Sequence, residues 1–225
     1  MSLKSVIDLV FPSLCPSCGH TLYQSETQLC LTCLQELPVL SGYDQQNLRN
    51  KLHGRVKTEH MLAFLKFHKK GITQEIIHHI KYRNRPDLAI YMGQLFIERL
   101  NFSTAMHSYD MLIPVPLHPK KLRKRGYNQS EVFARGLSEA INIPVLNNFL
   151  VRQVYTKTQT RKSREKRWQN VKDAFVVKTP ENLTNKNVIL VDDVITTGAT
   201  LEACATKLID AGIGKLSIVA LADAN

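Results

Sequence analysis

Apolar positions along the chain change period several times, and each change marks an element. Residues 41–85 are polar and mixed until Ile72, Ile76, Ile77 and Ile80 recur at helical spacing, which predicts a helix there. A second helix is predicted over Leu88–Leu100, with Leu88, Met92, Leu95 and Phe96 on one stripe. Met111-Leu112-Ile113-Pro114-Val115-Pro116 reads as a short apolar strand stopped by prolines. Val132, Ala134 and Leu137 place a helix over Glu131–Ile141, followed by an apolar stretch from Val145 to Val151. From Arg152 to Gln169 the chain has no apolar periodicity. The last third is the most regular. Val188-Ile189-Leu190-Val191 has the continuous apolar character of a strand covered on both faces. Thr200–Ala211 follows as a helix stopped by Gly212, and Leu216–Leu221 as another strand. Strand, helix, strand in this order predicts a parallel α/β sheet flanked by helices.

The chain has 225 residues, 44% hydrophobic and 22% charged, enough for one domain with a sizeable core and a small satellite module. No run approaches the roughly 18 apolar residues of a membrane span. Met1–Pro12 carries Asp8 and no small-residue cleavage site, so it is expected to be a short amphipathic helix and not a signal peptide, and the protein is expected to be cytoplasmic. The net charge of +11 favours polyanionic partners, either nucleic acid or phosphorylated small molecules. Much of it sits in two runs, Lys120 to Arg125 and Arg161 to Arg167.

Four of the five cysteines form two CxxC pairs, Cys15/Cys18 and Cys30/Cys33, with eleven residues between them. Two such turns complete a closed four-sulfur site, and the spacer is long enough for a two-stranded ribbon. Disulfides would need an oxidising compartment, and a redox CxxC would not need a second matching pair. The reading is therefore structural zinc on these four ligands, in a module spanning 1–40 with its exit at Leu37-Pro38. The remaining Cys204 reads as a small buried apolar side chain on its helix.

The chemistry concentrates in Val188-Ile189-Leu190-Val191-Asp192-Asp193-Val194-Ile195-Thr196-Thr197-Gly198-Ala199-Thr200. A buried strand delivers two carboxylates at its carboxyl end, where α/β crevices bind ligands. A loop of small residues then opens a helix, so backbone N–H groups and the helix dipole suit a phosphate. The carboxylates would repel that phosphate and need another target, which vicinal ribose hydroxyls supply. No Gly-Lys-Ser/Thr is present, so this is not a Walker loop.

This segment resembles the phosphoribosyl pyrophosphate motif of the type I phosphoribosyltransferases. The resemblance implies that Asp192 and Asp193 hold the ribose hydroxyls and that Thr196, Thr197, Gly198, Ala199 and Thr200 hold the 5′-phosphate. It implies that Ile113–His118 and the basic run, with Lys120 and Arg125, form the strand and loop receiving pyrophosphate. It further implies that Thr156–Asn170, with Gln159, Arg164 and Arg167, is a lid, and that Mg²⁺ accompanies the ligand. Ile80-Lys81-Tyr82, Pro114–Pro119, Arg125-Gly126-Tyr127-Asn128-Gln129-Ser130 and the CxxC pairs together resemble the ComF competence family. That resemblance implies a type I phosphoribosyltransferase fold over 41–225, with 41–110 a partly helical hood or linker, behind the zinc ribbon. It also implies a role in natural transformation, handling single-stranded DNA beside a competence helicase. A metabolic phosphoribosyltransferase acting on a small acceptor stays open, as does a nucleic-acid module whose transferase domain has lost its ligand. Purine-salvage relatives carry an Asp where this chain has Thr196, which disfavours that branch. Whether turnover occurs, and whether Asp110, Glu131 or His78-His79 approach the site, stays open at this point.

Overall fold

A computed structural model describes residues 12–23, 25–100, 106–153 and 174–224. The expected amino-terminal helix and the Thr156–Asn170 segment, with Gln159, Arg164 and Arg167, lie outside the described residues. The described helices are α1 (Leu31–Gln35), α2 (Gly42–Asn50), α3 (Ile72–Tyr82), α4 (Pro86–Leu100), α5 (Pro119–Arg125), α6 (Gln129–Ile141) and α7 (Ala199–Asp210). The strands are β1 (Met61–Lys66), β2 (Met111–Pro114), β3 (Leu150–Arg152), β4 (Phe175–Val177), β5 (Val188–Ile195) and β6 (Leu216–Asp223).

Four strands form a parallel sheet in the order β1-β6-β5-β2. A single parallel bridge from Leu112 to Val145 extends it beyond β2. Strands β3 and β4 make a separate antiparallel pair. Successive residues of β5 alternate between two cores. Ile189 and Val191 join Phe64, Phe96 and Phe133 on the face covered by α3, α4 and α6. Val188 and Leu190 join Leu48, Leu201 and Leu208 on the face covered by α2 and α7. This two-sided burial is why the strand sequence shows no polar alternation.

Strand β1 was not anticipated. Met61-Leu62-Ala63-Phe64-Leu65 lies in the segment read as polar and mixed, yet it pairs with β6 from Met61↔Ile218 to Lys66↔Asp223. The basic run 120–125 is a correction of another kind, since it is a helix and not a loop. His118 caps it by accepting from the Lys120 N–H at 3.1 Å, Pro119 stands at its first turn, and Gly126 closes it at φ 83°.

Helices α4 and α6 approach backbone to backbone at Gly93 and Gly136. A Cβ at Gly136 would lie 2.0 Å from the Ile90 carbonyl oxygen, and one at Gly93 would lie 2.5 Å from that of Phe133. This contact fixes α6 against the sheet and aims its first turn at the carboxyl end of β5. Among the described residues no helix is long and apolar enough to cross a membrane.

Candidate functional site

The two halves of the sheet run apart from one point. From β5 the chain passes through α7 to β6 on one side, and from β2 through α6 to the Val145 bridge on the other. The crevice between the carboxyl ends of β5 and β2 is therefore a topological switch point. Asp192 and Asp193 stand at it. Being adjacent on a strand, they face opposite sides of the sheet. The Asp193 carboxylate meets the Lys81 ammonium at 2.8 Å, at the end of α3. Asp192 is 9% exposed, and its Oδ1 accepts from the Ser130 hydroxyl at 3.1 Å and from the Asp193 N–H at 2.8 Å. Burial, and next the Asp193 charge, push the Asp192 carboxyl up to about 7 against the opposing pull of those two donors and Lys81.

Around the carboxylates, Lys81 and Arg152, which the sequence did not assign to the site, join Lys121 of the basic run. Lys121 is held below the usual ammonium range by burial and by Arg152, Arg125 and Lys81, with Asp193 opposing. Arg152, on β3, is likewise lowered by burial, with Cys204 and Asp192 opposing. Its guanidinium lies 5.2 Å from the Phe175 ring centre on the paired strand. Lys81, Lys121 and Arg152 thus set three cations against two carboxylates, with Arg125 close to Lys121, an excess suited to a polyanion. Within α5 the one-turn spacing of Lys121 and Arg125 turns both inward to half-buried positions, while Lys120 is exposed. Lys81 and Arg152 come from segments far from this run and from each other, so no local spacing could have announced them.

The small-residue loop is where the sequence places it. Gly198 takes φ 78° as the N-cap of α7 and brings no side-chain cap, which leaves the cap position to backbone groups. A Cβ there would also meet Leu52 at 3.0 Å. Thr196 is exposed, Thr197 and Thr200 are half-buried, and Gly198 and Ala199 are buried. The segment after α2 braces this loop. Lys51 donates to the Thr196 carbonyl at 3.4 Å and pairs with Asp223, and Arg55 pairs with Glu202 on α7.

Other candidates fall away from the crevice. Asp110 binds the Asn187 N–H at the amino end of β5, 2.7 Å away. Glu131 pairs with Arg135 on α6, and His78 stacks beside Tyr82 on the outer surface of α3. Cys204 is fully buried, as expected of a small core side chain.

At the amino-terminal end, Cys15, Cys18, Cys30 and Cys33 place their sulfurs within 4.8 Å of one another. A tetrahedral zinc with four thiolates needs sulfurs about 3.8 Å apart, so the set fits a four-coordinate metal. The first pair sits in a turn where Gly19, at φ 76°, donates to the Cys15 carbonyl. The second pair opens α1, with Cys30 as its N-cap. Cys15, Cys30 and Cys33 are continuous with the core under α3 and α4, so the cysteine module packs on the domain and is not a loose appendage.

Comparison with known proteins accords with this arrangement. Residues 127–225 match the phosphoribosyl transferase domain family. Competence protein F of Haemophilus influenzae is 30% identical over 215 residues, covering 93% of this chain and 85% of that protein. The DNA utilization protein YhgH of Escherichia coli K12 is 28% identical over 146 residues, 64% of this chain and 63% of its own length. Competence protein ComFC of Bacillus subtilis is 30% identical over 105 residues, 45% of this chain and 39% of that one. With a cysteine cluster at one end and a phosphoribosyl transferase domain at the other, the chain belongs to the ComF family of competence proteins.

Proposed function

We propose that this protein is a DNA-uptake factor of natural transformation, handling incoming single-stranded DNA in the cytoplasm. In this reading it binds 5-phosphoribosyl pyrophosphate, or a related ribose phosphate, between the carboxyl ends of β5 and β2. The observation that carries the ligand assignment is the pair of buried Asp192 and half-buried Asp193 at the switch point, with Lys81, Lys121 and Arg152 around it. Asp193 accepts from one ribose hydroxyl in exchange for Lys81, and Asp192, with an unusually basic carboxyl, accepts from the other. The N–H groups at the start of α7 and the Thr196–Thr200 hydroxyls take the 5′-phosphate. Lys121 and Arg125, with Lys120 at the rim, take the pyrophosphate, and Gln159, Arg164 and Arg167 are its further proposed contacts.

Mg²⁺ carried by the pyrophosphate would offset its charge and make it a better leaving group. Any transfer would break the bond between the anomeric carbon and pyrophosphate, which leaves with the electron pair, and form a bond to an acceptor nucleophile. The cations stabilise the departing charge. Zn²⁺ on Cys15, Cys18, Cys30 and Cys33 would hold the 1–40 module in place and take no part in chemistry.

The names of the relatives, competence protein and DNA utilization protein, support the DNA role, as does the net charge of +11. A competence helicase is the expected partner. Binding of a labelled single strand is the test. Affinity should fall steeply with salt, by about 0.7 log units per log unit for each phosphate neutralised, and a flat response would refute the DNA role.

One observation favours a metabolic transferase instead. A cavity of about 430 Å³ lies beside the phosphate loop, lined by Asp44, Asn47, Asn50, Lys51 and Asp223, and could seat a small polar acceptor. Pyrophosphate release on adding a free base or amine would establish that reading.

A further inference from the structure

Helix α3 ends on a side chain that the fold leaves in solvent. Tyr82, its last residue, keeps 66% of its surface exposed. The ring is nonetheless held in place from two sides. His78, one turn earlier, lies 5.2 Å away between ring centres at an angle of 47°. The Arg125 guanidinium lies over the ring, 5.7 Å from its centre, and is anchored by donating to Gln129 Oε1 at 2.7 Å. With 66% of its surface exposed, the oriented ring still offers area on which a flat apolar partner can stack.

The surroundings say which partner. Lys81 precedes the ring and Arg83 follows it, while α5 contributes five cations in seven residues and no carboxylate. Lys120, Arg123 and Lys124 of that helix are exposed. A flat apolar group joined to a row of negative charges is a base on a phosphate backbone. Bases in a duplex are stacked on one another, so only an unpaired base offers its face. An acidic peptide would use the cations and leave the ring idle, and a lone ring is too small for a membrane surface.

We infer that Tyr82, braced by His78 and Arg125, is a stacking platform for an unpaired base of single-stranded DNA whose phosphates run along α5. The inference rests on the DNA role proposed above and gives it an address. Because Lys81 pairs with Asp193, the bound strand lies beside the carboxylate crevice.

The test is fluorescence anisotropy of a labelled oligothymidylate with the full, metal-loaded chain, across a salt series. Tyr82→Ala should weaken binding by about 5- to 150-fold, as loss of one stacked base does, with the salt slope unchanged. Tyr82→Phe, which keeps the ring, should bind as wild type does. Lys124→Ala should instead lower the slope by about 0.7 per phosphate lost. Wild type that fails to bind the strand overturns the DNA role and this inference with it. Wild type that binds while Tyr82→Ala binds equally well overturns the platform alone. So does a loss in Tyr82→Ala that Tyr82→Phe shares, since that points to the hydroxyl and not the ring.

Discussion

The two ends of β5 carry the same chemistry and do opposite things with it. At the amino end, Asp110 accepts from the Asn187 N–H at 2.7 Å and from Lys186 at 3.4 Å. The Asn187 side chain donates to the Ser108 carbonyl at 2.8 Å and accepts from the Lys215 N–H at 3.0 Å. Every group there closes on another, and the Asn187 N–H holds the Asp110 carboxyl below its ordinary range. At the carboxyl end, Asp192 is buried beside a second carboxylate, and its carboxyl is pushed up to about 7. Two donors and the Lys81 charge do not bring it back. The amino end is thus a closed structural junction, while the carboxyl end keeps a buried carboxyl of raised proton affinity beside several cations. Perturbed titration of this kind recurs at many active sites.

Titration gives the largest expected effect. The folded chain holds a proton on Asp192 up to about 7, whereas the unfolded chain releases it near 3.8. Between those values the folded state binds more protons, so stability declines as pH rises through the window. Asp192→Asn removes that decline. At pH 8, without ligand, it should stabilise the protein by a few kcal/mol, since each tenfold difference in proton affinity between the two states is worth about 1.4 kcal/mol. Urea denaturation at pH 5 and pH 8 reads this directly, and a variant less stable than wild type at pH 8 would break the comparison.

Gly136→Ala comes next. The added methyl group meets the Ile90 carbonyl, and overpacking of this kind costs about 1–3 kcal/mol. Because α6 carries Ser130, ligand affinity should fall along with stability, while the Asp110 junction keeps its protection in amide exchange. Ser130→Ala should cost about 1 kcal/mol and move the Asp192 carboxyl further up, visible in a carboxyl carbon titration by NMR. Asp110→Asn is the smallest change. Its carboxyl is depressed, so its contribution is present above the unfolded value and fades as pH falls. Solvent screening keeps the loss below about 1 kcal/mol, and ligand affinity should not move.

The carboxyl end was legible where its residues are consecutive. The apolar run 188–191, the carboxylates, the small-residue loop and the Gly212 stop all lie within one βαβ unit, so local pattern located β5, α7 and β6. The cysteine cluster was legible for the same reason, its ligands being paired by spacing. Strand β1 was not, because five apolar residues suit a buried helix as well as a strand, and its partner β6 lies about 150 residues away. Helix α5 has no apolar face, so periodicity could not mark it, and its ends are set by His118, Pro119 and Gly126. Lys81, Arg152 and Lys51 reach the site only through tertiary packing, which a linear pattern does not encode.

A phosphoribosyl site in the Asp192–Asp193 crevice requires both carboxylates. Calorimetric titration of 5-phosphoribosyl pyrophosphate with Mg²⁺ into wild type and into the Asp192→Asn/Asp193→Asn double variant tests it most directly. Wild type should bind at about micromolar affinity, near −8 kcal/mol, and the folded double variant should show no detectable binding. Absence of binding to folded, metal-loaded wild type, or equal binding to both proteins, would contradict it.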